Sequence, residues 1–331
     1  MTADRDPVAA YLETFERLRT RKRWTTDTAT YRFVALTLGA AGNRVSHDGL
    51  EEVAAGLRRR AGWTSPLRSE IRYVVAAMIL RRDLDAARVH HQVIATRVRF
   101  GEHGVKRRGT GATLAALLLV LQTEGKRVPK AHLDRLARIY AQWRADHFWL
   151  TDANDLPAAA LHAARDVSVE SLTGDVQRAY ARLREAGFRR GNQLQLVSHL
   201  LAVDPRGTDT GVQRFAVVAD RLRSAGERVG TGRYDEVAVL ALTQGSPGHV
   251  VDRVLRYRDR LRSARPRPSK DLAFSLAAGI ELAEDSEKAG ERSAGDLAAL
   301  QSIRAILDAQ QAATIAAISA GAGAGAAGSG S

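Results

Sequence analysis

The sequence predicts an all-α protein: a solenoid-like α–α helical-repeat array of about three four-helix units behind an N-terminal helical cap. Three features support this. Apolar residues recur at helical spacing, as in Ile71, Val74, Val75 and Met78, or Val176, Ala179, Tyr180 and Leu183. Strand-like alternation bounded by hairpin turns does not occur. One pattern occurs three times: an amphipathic helix ending in an Arg-x-Arg step, a basic corner with Gly or Pro, then a short apolar helix.

Residues 1–64, the cap, carry three helical stretches at 7–19, 27–38 and 48–60. Unit 65–150 opens at Ser65-Pro66, an N-cap followed by proline at the first helical position. It then holds helix 71–80, the first copy of the pattern at 97–121, and helix 130–145. Unit 151–230 holds helix 156–165, the second copy at 182–203, and helix 211–225. Unit 231–319 holds helix 234–242, the third copy at 260–282, and helix 295–319. Gly187 and Gly226 sit just past helices, where a left-handed C-cap residue is expected. The final AGAGAGAAGSGS (320–331) has nothing to pack and is expected to be a disordered tail. Units of this kind cannot bury both faces alone, so neighbours stack and share a core. Aromatic residues make up only 5%, so that core is expected to be mostly Leu, Ala and Val.

Composition narrows the function classes. The chain has 331 residues, 45% of them apolar, and no apolar run long enough for a membrane span, so no membrane insertion is expected. The charged N-terminal stretch does not read as a secretory signal, and with no cysteine there is no disulfide framework, thiolate zinc site or thiol nucleophile. The expected location is the cytoplasm. Net charge is +13, with 44 Arg against 6 Lys. Such a bias follows from high-GC coding, so arginine richness alone says little. The distribution says more: residues 65–150 carry 16 basic against 7 acidic residues, whereas 231–331 carry 12 of each. A basic face is how proteins meet polyanions.

Two corners hold the candidate site residues. In EAGFRRGNQLQLVSHLLAV (185–203), Arg189, Arg190, Asn192, Gln195, Ser198 and His199 could bind a ligand or partner at a helix N-terminus. Equally, Asn192 could be an N-cap, with Leu194, Val197, Leu200 and Leu201 core and Gln195 satisfying a backbone group. In KRRGTGATLA (106–115), Lys106, Arg107, Arg108, Gly109, Thr110 and Gly111 form a candidate anion corner at a helix N-terminus. It is not a P-loop, because GxxxxGK[ST] and a preceding strand are both missing. The basic runs at 17–24, 57–60 and 253–270 read as phosphate contacts or as solvated helix faces. Histidines do not cluster: His90 and His91 are adjacent and diverge on a helix, so no metal site is expected. No HExxH, GxSxG or paired-carboxylate motif occurs, and neither a catalytic constellation nor a cofactor is assigned. In DHFWLTDANDLPAAAL (146–161), His147, Phe148 and Trp149 read as a wedge between units, or as an aromatic patch facing a ligand.

HFWLTDANDLPAAALHAA (147–164) followed by AYARLREAGFRRGNQLQLVSHLLAV (179–203) resembles the bacterial domain-of-unknown-function family 4003. The resemblance covers about 60 residues and brings no activity with it. It implies weight for Thr151, Gly191, Asn192, Gln195, Ser198 and His199. Stronger arginine bias and the Ala/Gly tail depart from the family pattern.

The function expected is a binding or scaffolding module without catalysis, its partner another protein. The alternative is a nucleic-acid- or polyanion-binding protein using the 65–150 surface. A third is an enzyme with a site assembled between repeats from His147, Asn192 and His199.

Overall fold

Residues 6–20, 28–39, 44–63, 65–146 and 155–288 are described by a computed structural model, and among them every regular element is helical. Two compact units divide the chain, one within Met1–Leu133 and the other within Asp134–Arg304.

The first unit contains α1 (Pro7–Arg19), α2 (Thr28–Leu38), α3 (His47–Arg60), α4 (Ile71–Arg81), α5 (Ala86–Glu102) and α6 (Thr110–Gln122). Side-chain caps start three of these helices: Asp6, Ser46 and Asp85 accept from free N–H groups in the first turns of α1, α3 and α5. Ser65-Pro66 opens only a single turn, Pro66–Arg68, and α4 begins later, at Ile71. α4 packs on α2 and α3, and α5 lies against α3 and α6. The apolar helices α2, α4 and α6 are buried along nearly their whole length, whereas α5 buries a single stripe of Val89, His90, Val93, Thr96 and Phe100.

A fixed interval governs the following helices. α7 (Lys130–Asp146), α9 (Val169–Glu185), α11 (Thr208–Ser224) and α13 (Pro247–Ser263) are each 17 residues long, and each begins 39 residues after the previous one. Between and after them lie α8 (Leu156–Ala163), α10 (Asn192–Leu201), α12 (Tyr234–Leu242) and α14 (Lys270–Lys288). The interval is thus a long helix plus a short one, half the length of the four-helix period read from the sequence. Helix 295–319 and the tail lie outside the described residues.

Equal spacing keeps register. Leu183, Leu222 and Leu261 occupy one position of successive long helices, Ala179, Val218 and Tyr257 another, and all six are buried. In the second unit α9, α11 and α13 pack side by side, α8, α10, α12 and α14 form a second layer, and each of α9, α11 and α13 packs on the next helix of that layer. Gly187 and Gly226, also 39 apart, take φ of +84° and +79°. There the N–H groups of Phe188 and Glu227 reach back to the carbonyls of Leu183 and Leu222, closing the ends of α9 and α11.

Arginines tie the layers together. Arg214 on α11 donates to the carbonyls of Ala241, Thr243 and Gly245 at the end of α12, at 2.8–2.9 Å. Arg165 reaches the Ala202 carbonyl at 2.9 Å, and Arg206 the Ala241 carbonyl at 2.9 Å. In the first unit Arg17, Arg81 and Arg99 bind the carbonyls of Val45, Thr37 and Val128, each at 2.7 Å. At Thr37, Ala202 and Ala241 the guanidinium satisfies carbonyls at a helix C-terminus and complements the negative end of its dipole, while Val45 and Val128 are loop carbonyls ahead of α3 and α7. These six arginines have a structural role.

Candidate functional site

The corner at 185–203 is built by backbone needs. α9 closes at Gly187, and Phe188 turns inward against Phe215 and Tyr234, at ring separations of 4.8 and 5.7 Å. The Arg189 N–H donates to the Tyr234 hydroxyl at 3.0 Å. Gly191, at φ +140°, is the N-cap of α10 and supplies no side-chain cap. Asn192, one of the two N-cap readings of the sequence, is instead the first helical residue and is exposed, as are Arg189 and Arg190.

Gln195, Ser198 and His199 point the other way, at 1%, 0% and 1% exposure. The Ser198 hydroxyl donates to the Leu194 carbonyl at 2.9 Å. His199 stacks on Trp143 of α7, with ring centroids 3.7 Å apart and planes at 26°. His162 of α8 meets the same indole edge-on at 5.9 Å. The His162 Nε2 lies 3.2 Å from the His199 carbonyl, so it carries the proton and donates. Nδ1 then accepts from Arg165 Nη1 at 3.3 Å. Burial first, then the Arg165 charge, pushes His162 well below the usual histidine range, so it is neutral. Both ring nitrogens are thereby engaged in packing. The six described candidates of this corner thus divide between surface and core; His147 and Thr151 lie outside the described residues.

The second corner is exposed. Lys106, Arg107, Arg108 and Gly109 face solvent, Gly109 at φ +94° is the N-cap of α6, and Thr110 and Gly111 begin the helix. Arg97 Nε and Nη2 hold the Arg107 carbonyl at 3.1 and 3.0 Å, which fixes the loop on α5. The Arg107 side chain passes over Gly101, where an added Cβ would stand 3.6 Å from its Cδ. Other cations stand close by. Arg58, Arg59 and Arg60 end α3, which packs on α5, and the Arg60 charge reaches His90 strongly enough to lower its pKa after burial has done so. On α5, Arg88, His91, Val98 and Gly101 follow one exposed stripe, Val98 being 54% exposed. Trp63 follows α3 at 88% exposure, with Arg68 over its ring at 5.4 Å.

A site without any signal in the sequence lies in the second unit. A cleft of about 460 Å³ is walled by Arg165 and Val167 after α8, Leu172, Asp175 and Arg178 of α9, and the 202–210 segment that enters α11. Asp204 is fully buried and bound by Arg206 at 2.8 Å. Asp175 pairs with Arg178, and Asp209 with Arg182 at 3.1 Å. None of the predicted site residues lines this cleft. Its members come from three loops and helices, and only the 39-residue stacking brings them together. Among the described residues no group of three His, Cys, Asp or Glu side chains is placed to hold a metal ion. No described helix is long and apolar enough to cross a membrane.

These elements define an all-helical protein with a basic face in one unit and a charged cleft in the other. The chain belongs to the family described as "Protein of unknown function (DUF4003)", which matches residues 14–312. It is similar to the uncharacterized protein YeaA of Bacillus subtilis (strain 168), 23% identical over 272 residues that cover 81% of this chain and 80% of the relative. No solved structure matches.

Proposed function

We propose that this chain is a cytoplasmic, non-catalytic helical-repeat binding module whose partner is a nucleic-acid phosphate backbone. The alternating long and short helices are read as a solenoid-like array, the architecture that offers extended surfaces for partners. The observation that carries this reading is the run of unpaired cations along α3, α5 and the α5–α6 corner. Arg58, Arg59, Arg60, Arg88, Lys106, Arg107 and Arg108 are all exposed, and none pairs with a carboxylate among the described residues. From Arg88 to Gly101 the stripe spans about 20 Å at 1.5 Å per residue. Several phosphates in succession fit that length, and Trp63, exposed after the Arg58–Arg60 end of α3, offers a stacking surface.

The test is a titration of labelled duplex and single-stranded oligonucleotides against salt. Binding through about five phosphates gives a log–log slope near −4. The double variant R107E/R108E should lower that slope by about 2. No binding at ~50 mM salt, where counterion release is strongly favourable, removes the proposal.

A further inference from the structure

The cleft of the second unit holds a guanidinium, Arg165, that no carboxylate binds directly. Arg135 on α7 and Arg165 after α8 are both half-buried, and their hydrogen bonds go to neutral acceptors. Arg135 binds the carbonyls of His162 and Val167; Arg165 binds the Ala202 carbonyl and His162 Nδ1. Neither has a carboxylate within ion-pair distance. Burial, and then the charge of Arg135, disfavours the charged form of Arg165 and outweighs the opposite charge of Asp175 on the same cleft wall. The other charges on the walls already cancel in pairs: Asp175 with Arg178, Asp204 with Arg206, and Asp209 with Arg182 from outside the lining. Of the cleft's three guanidiniums only Arg165 is not ion-paired with a carboxylate, and it lies on the wall of a cavity of small-molecule size.

We propose that this cleft binds a small organic ligand with a single anionic group, a carboxylate or a phosphate, seated against Arg165. An anion completes the shell of a partly desolvated guanidinium, and charge-assisted bonds to it are the strong ones. The neutral body of the ligand lies on Val167, Leu172 and Ala202. A second anionic group meets no unpaired cation, so polyphosphates and nucleic acid do not fit. The site is therefore independent of the basic face in the first unit.

The experiment is calorimetric titration of the full chain with inorganic phosphate and, separately, with acetate, at constant ionic strength. At least one anion should bind saturably with one site per chain and a Kd of about 1 mM; which one binds separates phosphate from carboxylate ligands. R165Q should weaken binding by about tenfold or more, and R107Q should leave it unchanged. Since Arg165 also clamps a carbonyl, a second variant leaves that clamp in place: T210D adds a carboxylate to the cleft lining and should abolish anion binding while the chain stays folded. Absence of saturable binding by either anion up to ~50 mM, or undiminished binding in a folded R165Q or T210D, overturns the proposal.

Discussion

Glu227, just past α11, gathers three cations: Arg233 at 2.9 Å, Arg258 at 2.5 Å and Lys270 at 3.0 Å. Its side chain is 4% exposed, and those of Arg233 and Arg258 are 12% and 13% exposed. Burial alone would raise its pKa, but hydrogen bonds from Lys270 and Arg233 and the charge of Arg258 outweigh it and hold the carboxyl below the ordinary range. Replacing it with Gln leaves two buried guanidiniums around an amide. Breaking a buried pair costs about 3–5 kcal/mol. Arg233 keeps Asp271 and Arg258 keeps Asp259, so the expected loss is at the lower end, about 3 kcal/mol. Urea unfolding followed by circular dichroism at pH 7 reads this as a midpoint shift of roughly 1 M. D271N removes a partner of the same arginine, but Asp271 is 87% exposed, so its loss should stay under about 1 kcal/mol. The pH dependence has a definite sign. A carboxyl whose folded pKa is depressed contributes stability above its unfolded pKa and loses it as pH falls through the folded one. The deficit of E227Q should therefore shrink below about pH 4.5. A pH 7 deficit no larger than that of D271N would refute this account.

Glu236 on α12 behaves in the opposite sense. Burial, followed by the charge of Asp235, pushes its carboxyl up to about 8, while the Ser275 hydroxyl donates to it. Because the folded value lies above the unfolded one, stability should fall as pH rises from about 4.5 to 8 and level off above. E236Q should flatten that fall, melting higher than the parent at pH 8.5 and close to it at pH 5; parallel melting curves at both would count against a buried neutral acid. Trp143 is 2% exposed and packs His162 and His199 on two sides. W143A should cost about 3–5 kcal/mol in urea unfolding, whereas N192A and R189A, at exposed positions of the neighbouring corner, should each stay within about 0.5 kcal/mol. A W143A loss below about 1.5 kcal/mol would show that the histidine pair is not held by the indole.

Local signals made the helices legible. Pro7 after Asp6 starts α1 and Thr208–Ser224 ends just before Gly226, because caps and left-handed glycines act within a few residues of the chain. The 39-residue spacing of the long helices is harder to see in the sequence. Leu183, Leu222 and Leu261 keep a 39-residue interval, but the polar residues around them differ, so these helices match in burial and not in identity. Gln195, Ser198 and His199 looked like site chemistry because polar residues stood together at the start of a helix. On α10 they fall on the face turned to the core, and Trp143, which His199 stacks on, stands 56 residues earlier. The cleft had no local signature, because Arg165, Asp175 and the Asp204–Asp209 stretch belong to three separate segments.

What the sequence determined by itself is therefore the helical class, most helix boundaries and the place of the excess charge, all set by interactions within one or two turns or by simple counting. The tertiary structure decided which arginines remain available. In the chain Arg165, Arg206 and Arg214 are alike; in the fold each is defined by the carbonyl that packing brings to it from a distant segment. Arg206 and Arg214 reach carbonyls at the end of α12, and Arg165 reaches the Ala202 carbonyl from the cleft wall. That difference is a property of long-range packing, and no spacing in the sequence encodes it.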